Sequence, residues 1–231
     1  MNDSQGSRTL ESMSQAVWYN RWTLNKFKKY LKGEILEVGC GIGNFTNSLK
    51  EYGEVYAIDI DNNYINEVKE VTDGRAGFGD IETGKYFFKD KKFDTVVCLN
   101  VLEHIQKDAL AVKNLYKLLK DEGHLILLVP VHPFLFGKID ESIGHFRRYA
   151  KKELVKQLEG LGLKILNCRK LNFLGAIGWF FAGKVLKESV VDDNKIRVFN
   201  IIAPFVLPLE DLIEPPIGTS ILIIAQKIKN S

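Results

Sequence analysis

EILEVGCGIGN, residues 34–44, decides the fold of this chain of 231 residues. The stretch begins with a short apolar run that is typical of a buried parallel strand. Gly39, Gly41 and Gly43 follow that run, and a helical pattern begins directly after them. The sequence therefore predicts a strand, a tight loop and a helix N-terminus, whose free amide groups and positive dipole favour a polar or anionic ligand.

A second apolar run, residues 55–58, ends in Asp59. An acidic side chain at this place can accept hydrogen bonds from both hydroxyl groups of a ribose. The loop before it does not fit a dinucleotide, because the spacing G-x-G-x-x-G would need glycine at position 44, where the chain has Asn44. Strand, loop, helix, strand and terminal acid within about 25 residues predict a nucleoside site, and a plain turn is the alternative.

The spacing E-x-G-x-G-x-G, from Glu37 to Gly43, resembles the first motif of the class I S-adenosylmethionine-dependent methyltransferases. A second hallmark of that family, LK-x-x-G-x-L, matches residues 119–125. The resemblance implies an enzyme with S-adenosylmethionine as cofactor and a Rossmann-like α/β fold, with a doubly wound, mostly parallel sheet of seven strands. It places the cofactor contacts at Glu37, Gly39, Gly41, Gly43, Asp59, Ile60, Asp80, Ile81 and Asn100.

Gly79 and Asp80, followed by Ile81, are similar to the third motif of the family. By that resemblance Asp80 accepts a hydrogen bond from the adenine amino group. Ile60 and Ile81 would then enclose the adenine ring. Because a Gly-Asp pair also makes ordinary turns, a turn without ligand contact is the alternative.

Strand and helix patterns alternate along residues 13–130, which predicts a parallel, doubly wound sheet with right-handed crossovers. The first helix, residues 13–31, precedes the first strand. In the methyltransferases that the chain resembles, such a helix often lies over the cofactor pocket, so that Trp18, Tyr19 and Trp22 would face a ligand. Ordinary packing of these aromatic rings is the alternative.

Length and composition fit one domain, residues 1–231, with a helical cap at 1–33 and an apolar helical insertion at 171–214. A net charge of +3 is too small to indicate nucleic acid as a partner. Three distant cysteines indicate neither disulfides nor a zinc site. The polar first residues lack the apolar core of a secretory signal, and no apolar run reaches the ~18 to 20 residues of a membrane span. We therefore expect a cytoplasmic protein without a transmembrane segment.

The fourth predicted strand, residues 92–99, is followed by Asn100, Glu103 and His104. In an open parallel sheet the carboxyl ends of the strands border the ligand crevice, so these side chains are candidates for the neighbourhood of the reactive methyl group. One carboxylate and one histidine are few ligands for a divalent ion. In some small-RNA and quinone-precursor methyltransferases that the chain resembles, E-x-x-E-H at this place binds a divalent metal, but here Asn100 stands where the first glutamate would be. We therefore expect no metal site here, and a metal site is the alternative.

The segment after the fifth predicted strand, residues 120–130, is dense in side chains suited to acid–base chemistry. It resembles a bacterial subgroup of the same family in which this strand runs into HP-x-L-x-G, then GH-x-RRY, then a helix that opens on K-x-E-L. A histidine can take the acceptor's proton because its unperturbed pKa is about 6.5. We rank the candidate catalytic bases as His145, His132 and His104, in that order.

The same segment supplies the predicted substrate contacts. Arg147 and Arg148 would clamp a carboxylate or phosphate, since guanidinium groups pair with both. Tyr149 and Trp18 complete the predicted substrate set. For each residue separately, a surface salt bridge, a helix cap or ordinary packing is the alternative.

Two apolar stretches, residues 172–186 and 196–213, flank a polar break and predict a helical hairpin before the last strand, residues 220–226. If their aromatic side chains face the crevice, the acceptor is partly hydrophobic. If these side chains face outwards, they form a dimer interface or rest on a membrane surface, and the third alternative is packing on the sheet. The aromatic residues concerned are Phe173, Trp179, Phe180 and Phe181.

These patterns predict a methyltransferase that transfers a methyl group from S-adenosylmethionine to an oxygen or nitrogen of a small, partly hydrophobic acceptor. Two alternatives stay open: a methyltransferase that acts on RNA or protein, and a catalytically silent nucleoside-binding partner of another enzyme. The weak basic charge disfavours RNA, and the intact first motif disfavours a silent protein. We expect a monomer or a homodimer.

Overall fold

The computed structural model describes residues 16–185 and 193–229. The start of the predicted cap, residues 1–15, and the centre of the predicted insertion, residues 186–192, lie outside the described residues. Within the described residues, helices cover both faces of a mostly parallel sheet. This architecture confirms the predicted doubly wound α/β class.

Eight strands form the sheet, and in chain order they are β1 (Glu34–Val38), β2 (Glu54–Asp59), β3 (Ala76–Asp80), β4 (Lys85–Tyr86), β5 (Phe93–Leu99), β6 (Leu119–Pro130), β7 (Leu163–Leu171) and β8 (Ser220–Lys227). Across the sheet their order is β4-β3-β2-β1-β5-β6-β8-β7. Neighbours from β3 to β6 pair in parallel, whereas β8 runs antiparallel to both β6 and β7. Seven of these strands were predicted. The eighth, β4, is a two-residue edge strand antiparallel to β3.

The helices between the strands are α1 (Val17–Phe27), α2 (Thr46–Leu49), α3 (Asn62–Lys69), α4 (Asp108–Leu118), α5 (Lys138–Ser142), α6 (Lys151–Gly160), α7 (Phe173–Trp179) and α8 (Asp193–Val206). Short 3₁₀ helices occupy Lys28–Tyr30, Leu102–His104, Pro133–Leu135 and Leu207–Asp211, and a π-helical segment, Phe180–Val185, continues α7. The predicted first helix ends in a 3₁₀ turn rather than running to residue 31, and the helix after the glycine loop has a single turn.

Strand β6 is buried on both faces. Leu125 and Leu127 pack in the core cluster beneath α4 and α6, whereas Ile126 and Leu128 pack in the cluster on the opposite face. Each of these four side chains is at most 2% exposed. Because successive side chains of a strand alternate between the faces, a strand covered on both faces requires an unbroken apolar run.

The crevice that positions the site lies between β1 and β5. Strand β1 pairs with β2 on one side and with β5 on the other, so the strand order reverses there. In open α/β sheets, ligands bind outside the carboxyl ends of the strands at such a reversal. The glycine loop follows β1 and Asn100 follows β5, both at this edge.

Helix α1 and the predicted insertion cover the same face of the sheet. Phe27 from α1 and Ala203 and Leu207 from the insertion belong to one buried cluster. The insertion therefore packs on the sheet with one side. Its other side is apolar and exposed at Phe180, Phe181, Val198, Ile201, Phe205, Leu209, Leu212 and Ile213. Among the described residues, no helix combines the length and the apolar character needed to cross a membrane.

Candidate active site

The loop after β1 needs glycine for steric reasons. Gly39 has φ +70°, and a Cβ added there would lie 2.4 Å from Cγ2 of Val101. Gly43 has φ +84°, and its added Cβ would lie 2.8 Å from Cγ1 of Val68. Both positions combine a left-handed backbone with a close neighbour, which other residues tolerate poorly. The loop is therefore shaped by its glycines, as the sequence predicts.

Asp59 joins the end of β2 to this loop. The Gly41 N–H donates to its Oδ2 atom at 2.9 Å, and the Asp61 N–H donates to its Oδ1 atom at 3.0 Å. Burial raises the pKa of Asp59 although these hydrogen bonds lower it. An ionised carboxylate offers about four lone pairs, so both oxygens can still accept from a ribose. The next side chain, Ile60, is 70% exposed.

Glu37 lies buried at the end of β1. The Thr46 hydroxyl donates a hydrogen bond of 2.6 Å to its Oε2 atom. Burial raises the pKa of Glu37 to about 8. The contact ties β1 to the first residue of α2, so Glu37 supports the glycine loop from inside the protein.

Asp80 stabilises the turn that follows β3. Its Oδ1 atom accepts from the backbone of Glu82 and Thr83, and its Oδ2 atom accepts from the Thr83 hydroxyl at 2.7 Å. The local contacts of Asp80 are thus those of a turn. Ile81 is 4% exposed and belongs to the main core, whereas Ile60 is open to solvent. Adenine contacts by these residues stay a prediction.

Asn100 occupies the crevice edge in a left-handed conformation, with φ 54°. Its N–H donates to the Leu128 carbonyl at 2.8 Å, which fastens the end of β5 to β6. The residue is exposed. Its position agrees with the predicted one, directly beyond the carboxyl end of β5.

Glu103, His104 and His145 come together beyond the carboxyl end of β5, and we call them the Glu-His-His cluster. The rings of His104 and His145 lie 4.7 Å apart between centroids, nearly perpendicular. Nε2 of His145 lies 3.9 Å from Oε1 of Glu103. Each residue offers one ligand atom, and these atoms all lie within 4.8 Å of one another, so the cluster could hold a metal ion.

Glu103 is the buried member of the cluster, with 1% of its surface exposed. Burial raises its pKa to about 8. Its Oε2 atom has no hydrogen-bond partner among the residues that the structure describes. A buried carboxylate oxygen without a partner is costly, so the site is suited to a further donor or cation.

Asp140 is fully buried and holds His145 in place. Its Oδ1 atom lies 3.0 Å from Nδ1 of His145 and accepts a hydrogen bond from Nε of Arg148 at 2.8 Å. Its Oδ2 atom accepts from the indole N–H of Trp179 at 3.1 Å and from the Gly137 N–H at 3.0 Å. Although burial alone would raise it, these hydrogen bonds and the Arg148 charge hold the pKa of Asp140 below its usual value.

Of the three predicted bases, the structure brings two together. His145 and His104 belong to the cluster, whereas the His132 ring packs beside Phe134 at 5.2 Å between centroids. Burial lowers the pKa of His132, and the charges of Lys170 and Arg148 lower it further. The geometry therefore groups His145 with His104 and leaves His132 apart, unlike the predicted order, and the identity of the catalytic base stays a prediction.

The predicted substrate role of Arg148 needs correction. Arg148 is 6% exposed, it pairs with Asp140, and its NH1 group donates to the carbonyls of Val131 and Thr219 at 3.3 Å. An arginine with these internal partners is not available to clamp a substrate anion. Because Arg147 and Arg148 are adjacent, the sequence suggested that they have equivalent roles, but only Arg148 is buried.

The other predicted substrate residues also have internal contacts. Arg147 pairs with Asp108 and donates to the Gln106 carbonyl at 2.8 Å. The Tyr149 hydroxyl donates to the other Asp108 oxygen at 3.0 Å. Both therefore anchor the N-terminus of α4. Trp18 stacks on Trp22 with centroids 6.2 Å apart, which matches the packing alternative.

The sequence made Glu103 a candidate for the neighbourhood of the reactive methyl group but gave Asp140 no role. It did not assign the Asp140 contacts with His145 and Trp179. Asp140 lies in α5 and His145 follows it by 5 residues, so their closeness in the chain was the available signal. The contact with Trp179 joins distant segments and left no local pattern.

A family model described as a methyltransferase domain matches residues 36–127. An uncharacterised protein of Methanocaldococcus jannaschii is 30% identical over 154 residues, which are 67% of this chain and 65% of the relative, slightly under two thirds of its length. The ubiquinone biosynthesis O-methyltransferase of Rickettsia bellii is 26% identical over 178 residues, which are 70% of this chain and 72% of the relative.

A solved structure gives the same fold. A SAM-dependent methyltransferase from Archaeoglobus fulgidus is similar with a TM-score of 0.61 and 20% identity, over 91% of this chain and 94% of that chain. The family match covers the glycine loop, Asp59 and the first two residues of the Glu-His-His cluster. The chain therefore matches the methyltransferase-domain family over residues 36–127 and shares its fold with a SAM-dependent methyltransferase.

Proposed function

We propose that this protein transfers the methyl group of S-adenosylmethionine to an oxygen or nitrogen of a small, partly hydrophobic acceptor. The position of the Glu-His-His cluster beyond the carboxyl end of β5 carries this proposal. Val101, which precedes the cluster by two residues, lies against Gly39 of the glycine loop. Proton-accepting side chains thus stand beside the loop that is expected to hold the cofactor.

The residues of the crevice fit S-adenosylmethionine. Asp59 keeps lone pairs for the ribose hydroxyl groups, and the exposed Ile60 offers an apolar surface to a base. Gly39 and Gly43 let the backbone approach closely. When bound, the cofactor supplies a methyl group on an electrophilic sulfonium centre. The protein then has to position the acceptor and take its proton.

We assign to His145 the task of taking the proton from the acceptor. Because the carboxylate of Asp140 accepts a hydrogen bond from Nδ1, the neutral ring carries its proton there and its lone pair on Nε2. That lone pair is directed towards the cluster, where Nε2 lies 3.9 Å from Glu103. An alcohol or ammonium group placed at Nε2 can transfer its proton to the ring.

The surroundings of the cluster support a partly hydrophobic acceptor. Phe146 follows His145 directly, is 54% exposed, and donates its N–H to the Glu103 carbonyl at 2.8 Å. Exposed aromatic rings beside polar groups are typical of small-molecule sites. The name of the Rickettsia bellii relative, an O-methyltransferase, supports oxygen as the attacked atom.

The test is a methyl-transfer assay with labelled S-adenosylmethionine and a panel of phenols, vicinal diols, carboxylic acids and amines. We expect wild type to label at least one class, and His145→Ala to lower kcat about 100-fold or more, the factor that a positioned base commonly supplies. His124→Asn is the control, because His124 lies in the middle of β6, away from the cluster, and contacts the Tyr30 carbonyl. Cofactor binding without labelling of any acceptor would favour the catalytically silent alternative.

The macromolecular alternative has its own readout. A salt-dependent shift of RNA on a gel, or labelling of protein in an extract, would favour RNA or protein as the acceptor over a small molecule. The cytoplasmic location and the monomeric or homodimeric state are predictions that fractionation and light scattering can check.

A further inference from the structure

We propose that the exposed side of α8, together with the residues that follow this helix, binds the surface of an anionic lipid bilayer. Lipid binding adds a partner surface to the proposed function and does not depend on it. The side chains concerned are apolar and exposed, and we call them the apolar face: Val198, Ile201, Ile202, Phe205, Leu209, Leu212 and Ile213.

Helix α8 begins a segment that is apolar on two opposite sides. Phe199, Ala203 and Leu207 recur every four residues and pack in the buried cluster on the sheet. Ile201 and Phe205, also four residues apart, point away from the sheet and are 68% and 78% exposed. A helix that is apolar all round is normally buried. The second side therefore needs a cover that the described residues do not supply.

The composition of the apolar face fits lipid better than a protein partner. Residues 198–209 contain no charged side chain, and Leu212 and Ile213 extend the apolar face beyond them. Single exposed apolar side chains are common, but a contiguous group of this size marks an interaction surface. Protein interfaces add regularly spaced hydrogen bonds to their apolar area, whereas a lipid interior asks for none.

Basic residues border the apolar face. Arg197 directly precedes it and is exposed. Helix α1 lies beside α8, where the rings of Tyr19 and Phe199 are 5.8 Å apart between centroids. Residues 16–33 carry five basic side chains and no acidic one. Positive charge beside an apolar helix face is the combination that binds anionic lipids. The exposed basic side chains of residues 16–33 are Arg21, Lys28, Lys29 and Lys32.

Three acidic residues lie at the C-terminal end of the apolar face, and each has a partner. Glu210 is buried and accepts two backbone hydrogen bonds. Asp211 pairs with Lys26, and Glu214 pairs with Lys151. Within the described structure, none of the three therefore opposes a lipid phosphate as an unpaired negative charge.

The length of α8 suits a helix that lies on a bilayer. Its 14 residues span about 21 Å, whereas the hydrocarbon core of a bilayer is about 30 Å thick. An interfacial helix buries its apolar side about 5 to 10 Å deep and keeps basic residues at the headgroups. The exposed side chains of α8 and the basic residues of α1 match these two layers.

The experiment sediments the full chain with vesicles of phosphatidylcholine, alone or mixed with an equal amount of phosphatidylglycerol. We expect binding to the mixed vesicles that weakens as NaCl is added. Phe205→Ser should bind at least about tenfold more weakly, because burial of a phenylalanine side chain in lipid is lost. Arg21→Gln should bind about fivefold more weakly, the worth of one basic residue near an anionic surface. Circular dichroism checks that each variant is folded.

Leu110→Ser and Lys113→Gln are the matched controls. Both side chains are exposed on α4, which packs on the opposite face of the sheet. One control removes an exposed apolar side chain and the other a positive charge, so we expect both to bind vesicles like wild type.

Three results would overturn lipid binding: no sedimentation with the mixed vesicles, equal binding to both kinds of vesicle, or equal loss in Leu110→Ser and Phe205→Ser. Light scattering without lipid examines the other occupant. A wild-type dimer that Phe205→Ser dissociates would assign the apolar face to a second copy of the chain and contradict the proposal. A methyl-transfer assay affects none of these outcomes.

Discussion

Nδ1 of His145 lies 3.0 Å from Oδ1 of Asp140, and this contact ties the proposed proton acceptor to a fully buried carboxylate. The same carboxylate accepts hydrogen bonds from Arg148 and Trp179. One aspartate therefore sets the orientation of the proposed proton acceptor, neutralises an internal arginine and contacts the insertion before β8.

Replacing Asp140 by asparagine should affect stability and activity together. Asp140→Asn leaves the charge of Arg148 buried without a counter-ion, which we expect to lower the free energy of unfolding by about 3 to 5 kcal/mol. It also removes the anion that orients His145, so kcat should fall at least about tenfold. Urea denaturation and the methyl-transfer assay measure the two effects.

The neighbouring variant Glu141→Gln is the control for Asp140, because Glu141 is exposed on the same short helix. We expect its stability within about 0.5 kcal/mol of wild type. Equal effects of the two variants on stability and activity would contradict the role of Asp140 as the buried counter-ion of Arg148 and the partner of His145.

Adding a methyl group at Gly39 should damage the glycine loop. In Gly39→Ala the new Cβ meets Val101 at 2.4 Å on a backbone with φ +70°. Gly74 has φ +82° with open space around it, so Gly74→Ala isolates the backbone cost of about 1 to 2 kcal/mol. We expect Gly39→Ala to be less stable than Gly74→Ala and to bind S-adenosylhomocysteine at least about tenfold more weakly. Equal binding by the two variants would exclude the loop as a cofactor contact.

Stability should fall as the pH rises, owing to Glu37. Its pKa of about 8 in the folded protein lies above 4.5, the ordinary value, so the folded state keeps a proton that the unfolded chain releases. The stability linked to this proton is fully present below about pH 4.5 and is lost as the pH rises through about 8.

Urea denaturation of ligand-free protein between pH 5 and 8 measures this loss. Glu37→Gln cannot ionise, so its stability should decline less steeply than that of wild type. Glu103 also has a pKa of about 8, so its titration lowers stability over the same pH range. The Glu37→Gln variant should therefore keep a smaller slope rather than none. Glu67→Gln, at an exposed position on α3, should keep the wild-type slope. A wild-type slope in Glu37→Gln would mean that Glu37 keeps an ordinary pKa.

Trp179→Phe tests the contact between the insertion and the site. Phenylalanine keeps a ring beside Arg148 but lacks the N–H that lies 3.1 Å from Asp140. We expect a loss of about 1 kcal/mol, the usual worth of such a hydrogen bond. Phe181→Leu, at a side chain that is 55% exposed, should change stability by less than about 0.5 kcal/mol. Denaturant midpoints of both variants give the comparison.

Local patterns predicted the parts of the fold that local physics determines. Gly39, Gly43 and Asp59 sit where strand, loop and strand succeed each other within one crossover, and their spacing located the crevice. Strand β4 was missed because two residues are too few for a periodic pattern. The ends of α1 and α2 differed because 3₁₀ and single-turn helices follow tertiary contacts more than propensity.

Contacts between distant segments could not be predicted from the sequence. Glu103 and His145 are far apart in the chain and meet only because β5 and β6 are neighbours. Arg147 and Arg148 are adjacent and similar, yet one is buried against Asp140 and the other pairs with Asp108 at the surface. Which of two equal side chains points inward depends on the packing around them.

Calorimetric titration with S-adenosylmethionine and S-adenosylhomocysteine, on wild type and Asp59→Ala, tests most directly whether the crevice between β1 and β5 binds this cofactor. Micromolar binding corresponds to about 8 kcal/mol, and removal of a carboxylate that accepts two ribose hydrogen bonds should cost about 2 to 4 kcal/mol. We predict saturable binding of both nucleosides by wild type and at least about 30-fold weaker binding by the variant. Absence of binding to folded wild-type protein, or equal binding by Asp59→Ala, would contradict a cofactor site at this crevice.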